Sequence, residues 1–182
     1  MPIFLIMNRQ NPISSMTKIK ILIGTLALIG LLRIPIWHKS PAPKQIFTTI
    51  TGQQLNLQKM QGHPVIVTFW ATDCPACVKE IPHLIDLYQQ YRKQGLEVIA
   101  ISMFYDPPSH VVAMSEAMQI PYPIVLDIQG KHAKAFNQVK LTPNTFVINA
   151  AGEIDKQIIG PFDPAALQTE IELLLRGSIC CG

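Results

Sequence analysis

No acidic side chain occurs before Asp73: up to that point every charge is basic, and all 12 acids lie from Asp73 onward, interleaved with lysines. The net charge of +3 is therefore not a basic surface spread over a folded domain, which argues against a nucleic-acid partner. The asymmetry points instead to an N-terminal topology signal. Internal repeats and low-complexity tracts are also missing, which excludes a repeat array. Aromatic residues are modest at 7%, yet 48% of the chain is hydrophobic, enough for one ordinary core and one domain. His38, His63, His83, His110 and His132 share no ligand spacing and are read as surface or capping residues. Cysteines are few: Cys74, Cys77, Cys180 and Cys181.

Basic residues Arg9, Lys18 and Lys20 precede the uncharged run ILIGTLALIGLL, Ile21 to Leu32, which is followed by Arg33 and IPIWHKSPAP. As a helix the run is only about 18 Å long, short for a span and close to a signal-peptide core. With Lys20 and Arg33 snorkelling, the segment from Ile19 to Trp37 approaches the ~30 Å of a bilayer interior, with Trp37 at the far interface. It is read as an uncleaved signal anchor, a cleaved signal peptide and a buried helix being the alternatives. The basic residues ahead of it keep the N-terminus in the cytoplasm and export the remainder. Pro41 and Pro43 make residues 38–43 a stiff linker, and the folded domain is expected to begin near Lys44.

Beyond the linker, QIFTTITGQQLNL reads as a short hairpin turning at Thr51-Gly52, and VIVTFWA as a central strand. A helix is expected from about Pro75 to Gln94, ended by Gly95, then the strand LEVIAISM, a helix from about Pro108 to Gln119 and the strand PIVLD. A short helix near Ala133 to Phe136 follows, then strands NTFVINA and EIDKQIIG joined at Ala151-Gly152. The last helix runs to Leu175, with Gly177 ending it. Strand-helix alternation closed by a hairpin and a helix predicts an α/β fold with a mixed sheet and helices on both faces. The expected divisions are 1–18 cytoplasmic, 19–37 anchor, 38–43 linker, 44–176 domain and 177–182 a mobile cysteine-bearing tail.

The motif FWATDCPAC places Cys74 at the junction of a strand and a helix, in the N-cap position, with Pro75 at the first helical position. Free helix amides and the dipole favour the thiolate there and lower the pKa from about 8.5. Cys77, one turn on, faces the same way and can attack a mixed disulfide formed at Cys74. The first cysteine is thus the nucleophile and the second resolves. Asp73 opposes the activation, because a neighbouring carboxylate disfavours a thiolate.

These residues, with KEIPHLIDLYQQY, GLEVIAISM and LTPNTFVI in that order, resemble the thioredoxin superfamily, specifically its membrane-anchored TlpA/ResA-type thiol-disulfide oxidoreductases. The likeness covers about Ile46 to Leu175. It implies a thioredoxin fold with Pro143 as a cis-proline facing the dithiol, Thr142 offering backbone hydrogen bonds to a substrate chain, and Pro82 within the active-site helix. It implies protein disulfides as substrates, apocytochrome c among them, and a membrane thiol-disulfide electron donor. No cofactor beyond the Cys74-Cys77 pair is implied, and no metal. Where thioredoxin has a buried acid, two residues before the tryptophan, this chain has Thr68. The proton acceptor for Cys77 is left open between Glu80 and a water, and Glu80 is otherwise read as a solvated helix residue. Trp70 is read as core or as a rim of the site.

Other chemistries fit less well. Half a zinc site would need Cys180-Cys181 as the second half, and adjacent cysteines suit that geometry poorly. A structural disulfide spanning two intervening residues removes little chain entropy. A soft-metal carrier of the same fold and a disulfide oxidase stand as alternatives to a reductase. A peroxidase would need a single-cysteine motif that the chain does not show.

Overall fold

The computed structural model describes residues 39–179. The anchor 19–37 and the cysteines Cys180 and Cys181 lie outside those residues. Among the described residues, no helix is long and apolar enough to cross a membrane.

Among the described residues, eight strands and four α-helices follow in the order β1 (Ser40–Pro41), β2 (Ile46–Thr48), β3 (Gln54–Asn56), β4 (Val65–Trp70), α1 (Pro75–Tyr91), β5 (Glu97–Ser102), α2 (Pro108–Ala117), β6 (Ile124–Leu126), α3 (Lys131–Ala135), β7 (Asn144–Ile148), β8 (Glu153–Ile159) and α4 (Pro164–Ile179). Six of the strands form one mixed sheet in the order β1-β8-β7-β4-β5-β6. β4, β5 and β6 are parallel, and β7, β8 and β1 join antiparallel. β4, VIVTFW, is buried at every position because it is paired on both edges and covered on both faces.

Alternation along β4 sorts the core. Ile66 and Trp70 face α1, α2 and α4 through Ile81, Leu84, Val111, Leu167 and Ile171. Val65, Val67 and Phe69 face the opposite way, towards Phe136, Phe146 and the β2-β3 hairpin residues Phe47 and Leu55. Phe69, Phe136 and Phe146 meet edge to face with centroids 5.0 to 6.0 Å apart. The hairpin turns at Thr51-Gly52 as expected, with Gly52 at φ +82°, and forms its own two-stranded sheet.

Three expectations are corrected. Residues 38–43 are not wholly a linker: Ser40 and Pro41 pair with Ile154 and Glu153, and the Ala42 N–H donates to the Gly152 carbonyl at 2.9 Å. The compact unit begins at Lys39, whose ammonium pairs with Asp155. Proline is compatible with this because β1 is an edge strand, where a missing donor faces away from the sheet. The last helix runs through Gly177 to Ile179, since glycine costs a helix only about 1 kcal/mol and does not oblige it to stop. A 3-10 turn at Leu57–Met60, capped by Asn56, follows β3.

Candidate active site

β4 ends at Trp70, and the next four residues make a tight turn closed by the Cys74 N–H donating to the Ala71 carbonyl at 3.2 Å. The turn delivers Cys74 to the N-cap of α1 in an extended conformation, φ −99° and ψ 103°, with Pro75 in the first turn. The Cys77 N–H donates to Cys74 Sγ at 3.2 Å, so the sulfur caps the helix as the motif predicts. Cys74 and Cys77 are joined as a disulfide, with Cα atoms 5.3 Å apart. Their access differs: Cys74 is half-buried, whereas Cys77 is 2% exposed. Asp73 and Pro75 are exposed beside them.

Glu80 is not solvated. It is 5% exposed on the same helix face as Cys77, Ile81 and Leu84, and its Oε1 accepts the Phe162 N–H at 2.7 Å. Burial pushes its carboxyl up to about 7, with the Phe162 N–H drawing it partly back. The loop entering α4 buries this side chain, a long-range contact that helix periodicity alone does not reveal. Trp70 resolves as core, 3% exposed, and its Nε1 has no partner. Trp70, Thr68, Cys77, Glu80 and Tyr122 line one narrow cavity beneath the disulfide. Thr68, standing where an acid was missing, is paired with the Thr145 hydroxyl at 2.9 Å. The Tyr122 phenol is held above its usual range by burial, and the Glu80 charge adds to the effect.

The Thr142-Pro143 bond is cis, in keeping with the resemblance. Pairing of Phe69 with Asn144 puts Thr142 and Pro143 at the sheet edge from which the cysteine turn also departs. The Pro143 carbonyl accepts the Gly160 N–H at 2.8 Å. His132 differs from its reading as a surface or capping residue, and Asp106 enters with the structure. His132 is a core residue, 2% exposed, with Nδ1 2.6 Å from Gln45 Oε1 and its ring against Phe47. Asp106, in the loop FYDPPSH, is buried and accepts both the backbone N–H and the hydroxyl of Thr72, at 2.7 and 2.6 Å. Nothing local marked that reach across 34 residues.

Chemically, the arrangement holds two sulfurs that exchange a disulfide for a dithiol, one reachable from outside and one beside a buried carboxyl. Over residues 39–157 the sequence matches the model of the AhpC/TSA family. The thiol-disulfide oxidoreductase ResA of Geobacillus kaustophilus (strain HTA426) is 32% identical over 133 residues, which span 73% of this chain and 75% of that one. ResA of Bacillus subtilis (strain 168) is 27% identical over 138 residues, 76% of each chain. A thiol:disulfide interchange protein of the thioredoxin family from Chlorobium tepidum TLS shares the fold with a TM-score of 0.70 at 26% identity, over 76% of this chain and 97% of that one. With the disulfide lying inside the matched residues, the chain belongs to the AhpC/TSA family and is a thioredoxin-like thiol-disulfide oxidoreductase of the ResA type.

Proposed function

We propose that this protein reduces protein disulfides outside the cytoplasm, tethered to the cytoplasmic membrane by residues 19–37, with Cys74 as nucleophile and Cys77 as resolving thiol. The difference in access between the two sulfurs carries the reading, since only Cys74 combines partial exposure with a helix-capping amide. In the reduced protein the Cys74 thiolate attacks one sulfur of a substrate disulfide. That bond breaks, a Cys74-substrate disulfide forms and the other substrate sulfur leaves as a thiolate. Cys77 gives its proton to Glu80 and attacks Cys74 Sγ, which closes the Cys74-Cys77 disulfide and releases the second substrate thiolate. Two electrons have passed to the substrate, whose thiolates take up protons from solvent.

Glu80 suits the acceptor role because it lines the cavity with Cys77 and its carboxyl is poised near neutral pH. Thr142 lends its backbone to an extended substrate chain beside Pro143, a strand-like recognition. A membrane thiol-disulfide carrier returns the electrons, and apocytochrome c is the client the resemblance implies. The decisive experiment is trapping: Cys77→Ala should accumulate mixed disulfides on Cys74, whereas Cys74→Ala accumulates none. Equal trapping by the two variants would overturn the assignment.

A further inference from the structure

We infer that Asp106 is a positioning residue for the thiol chemistry, its carboxylate clamping the turn that presents Cys74 to substrate. In that turn Thr72 and Asp73 are the corner residues, and the turn's own hydrogen bond, Cys74 N–H to the Ala71 carbonyl, leaves the Thr72 amide to find a partner elsewhere. Asp106 Oδ2 accepts that N–H at 2.7 Å, and Oδ1 accepts the Thr72 hydroxyl at 2.6 Å. Both bonds are charge-assisted, and Asp106 is 6% exposed.

Asp106 is itself held. The Met103 N–H donates to the Trp70 carbonyl at 3.0 Å, continuing the pairing of β5 with β4, and the Asp106 N–H closes a second turn on the Met103 carbonyl at 3.0 Å. Pro107 then restricts the Asp106 backbone to extended conformations. Two turns that leave neighbouring parallel strands are thereby locked to one another through a single carboxylate. By contrast, the preceding Phe104 and Tyr105 are 60% and 47% exposed, whereas the buried Asp106 side chain reaches the cysteine turn.

The consequence for chemistry lies in the thiolate. Its stabilisation depends on Cys74 Sγ staying aligned with the Cys77 N–H and the axis of α1, two residues beyond the clamp. A free turn gives up that alignment. The carboxylate therefore acts on Cys74 in two opposed ways: its charge disfavours the thiolate, and its hydrogen bonds hold the turn in the geometry that favours it.

Two substitutions separate these effects. Asp106→Asn removes the charge but retains both bonds, the amide oxygen accepting the Thr72 N–H and the amide nitrogen donating to the hydroxyl. Asp106→Ala removes the same charge and both bonds. The comparison rests on Cys74 being the nucleophile and uses the full chain carrying Cys77→Ala, Cys180→Ser and Cys181→Ser, so that a single thiol is alkylated. Iodoacetamide rates followed against pH give the Cys74 pKa. The expected result is a lower pKa in Asp106→Asn, with Asp106→Ala at least ~0.5 unit above Asp106→Asn, roughly a threefold difference in thiolate fraction below the pKa. Thr72→Val, which loses only the hydroxyl bond, raises the pKa above the parent and serves even if Asp106→Ala does not fold. In the Asp106→Ala background the same change adds nothing, because the partner is already gone. Coincident pKa values for Asp106→Asn and Asp106→Ala, with Thr72→Val unmoved, would overturn the clamp. Absence of alkylation at Cys74 at every pH would be a different failure, overturning the nucleophile assignment beneath it.

Discussion

Glu80 departs furthest from what its neighbours in the chain imply. Lys79 before it is exposed and the helix begins in solvent, yet Glu80 faces inward and caps the Phe162 amide. Because burial raises its carboxyl from 4.5 to about 7, the folded protein binds a proton there that the unfolded chain releases. Stability should therefore fall as pH rises from about 4.5 to about 7 and level off above, and Glu80→Gln should remove that part of the slope. Chemical denaturation across this range measures it; an unchanged slope would show that Glu80 titrates normally. The same substitution keeps the acceptor for Phe162 but not the base, so resolution by Cys77 should slow by about 100-fold, the usual lower bound for a general base. Cys74 and Cys77 were legible because helix capping is a local rule, written within four residues. Glu80 was legible only as a candidate acceptor; its burial, like that of His132 and Asp106, was not, because the partners Phe162, Gln45 and Thr72 lie 34 to 87 residues away.

Elements were read well where one periodicity dominated. β4 is a continuous apolar run and α1 an amphipathic one, ended by a 3-10 turn and by Gly95 at φ +105°. Misreadings fell where a rule of exclusion was applied to a permissive site. Proline at an edge and glycine near a helix end are tolerated, so β1 pairs with β8 and α4 continues past Gly177. The pairing matters for the proposed tether, since the chain enters the sheet at Ser40, three residues beyond Trp37. A periplasmic reporter fused after Gly182 should be active outside the cytoplasm and remain with membranes after a salt wash. Recovery as a shortened soluble protein would show that residues 19–37 are cleaved and do not anchor.

At the scale of the whole molecule the direction of electron flow is the property to be tested. An exported dithiol meets an oxidising compartment and stays a reductant only while a partner supplies electrons, which a membrane tether favours by raising effective concentration. Asp73 is exposed beside Cys74, and a carboxylate so placed is expected to remove part of the thiolate stabilisation that makes a pair strongly oxidising. Equilibration of the full chain with Cys180→Ser and Cys181→Ser against glutathione buffers should give a potential nearer about −270 mV than about −120 mV. A value at the oxidising end would make the protein an oxidase. One nearby charge is enough to matter, as 30 mV corresponds to ~1.4 kcal/mol in this couple. The chemistry itself, two thiols at a helix N-terminus, was determined by the sequence alone, because capping, proline placement and strand-helix alternation act over a few residues. What surrounds the thiols was decided only by tertiary structure. The order β8-β7-β4-β5 brings Phe162, Pro143 and Asp106 to the end of the sheet that the cysteine turn leaves, and contacts across such separations arise from the fold as a whole.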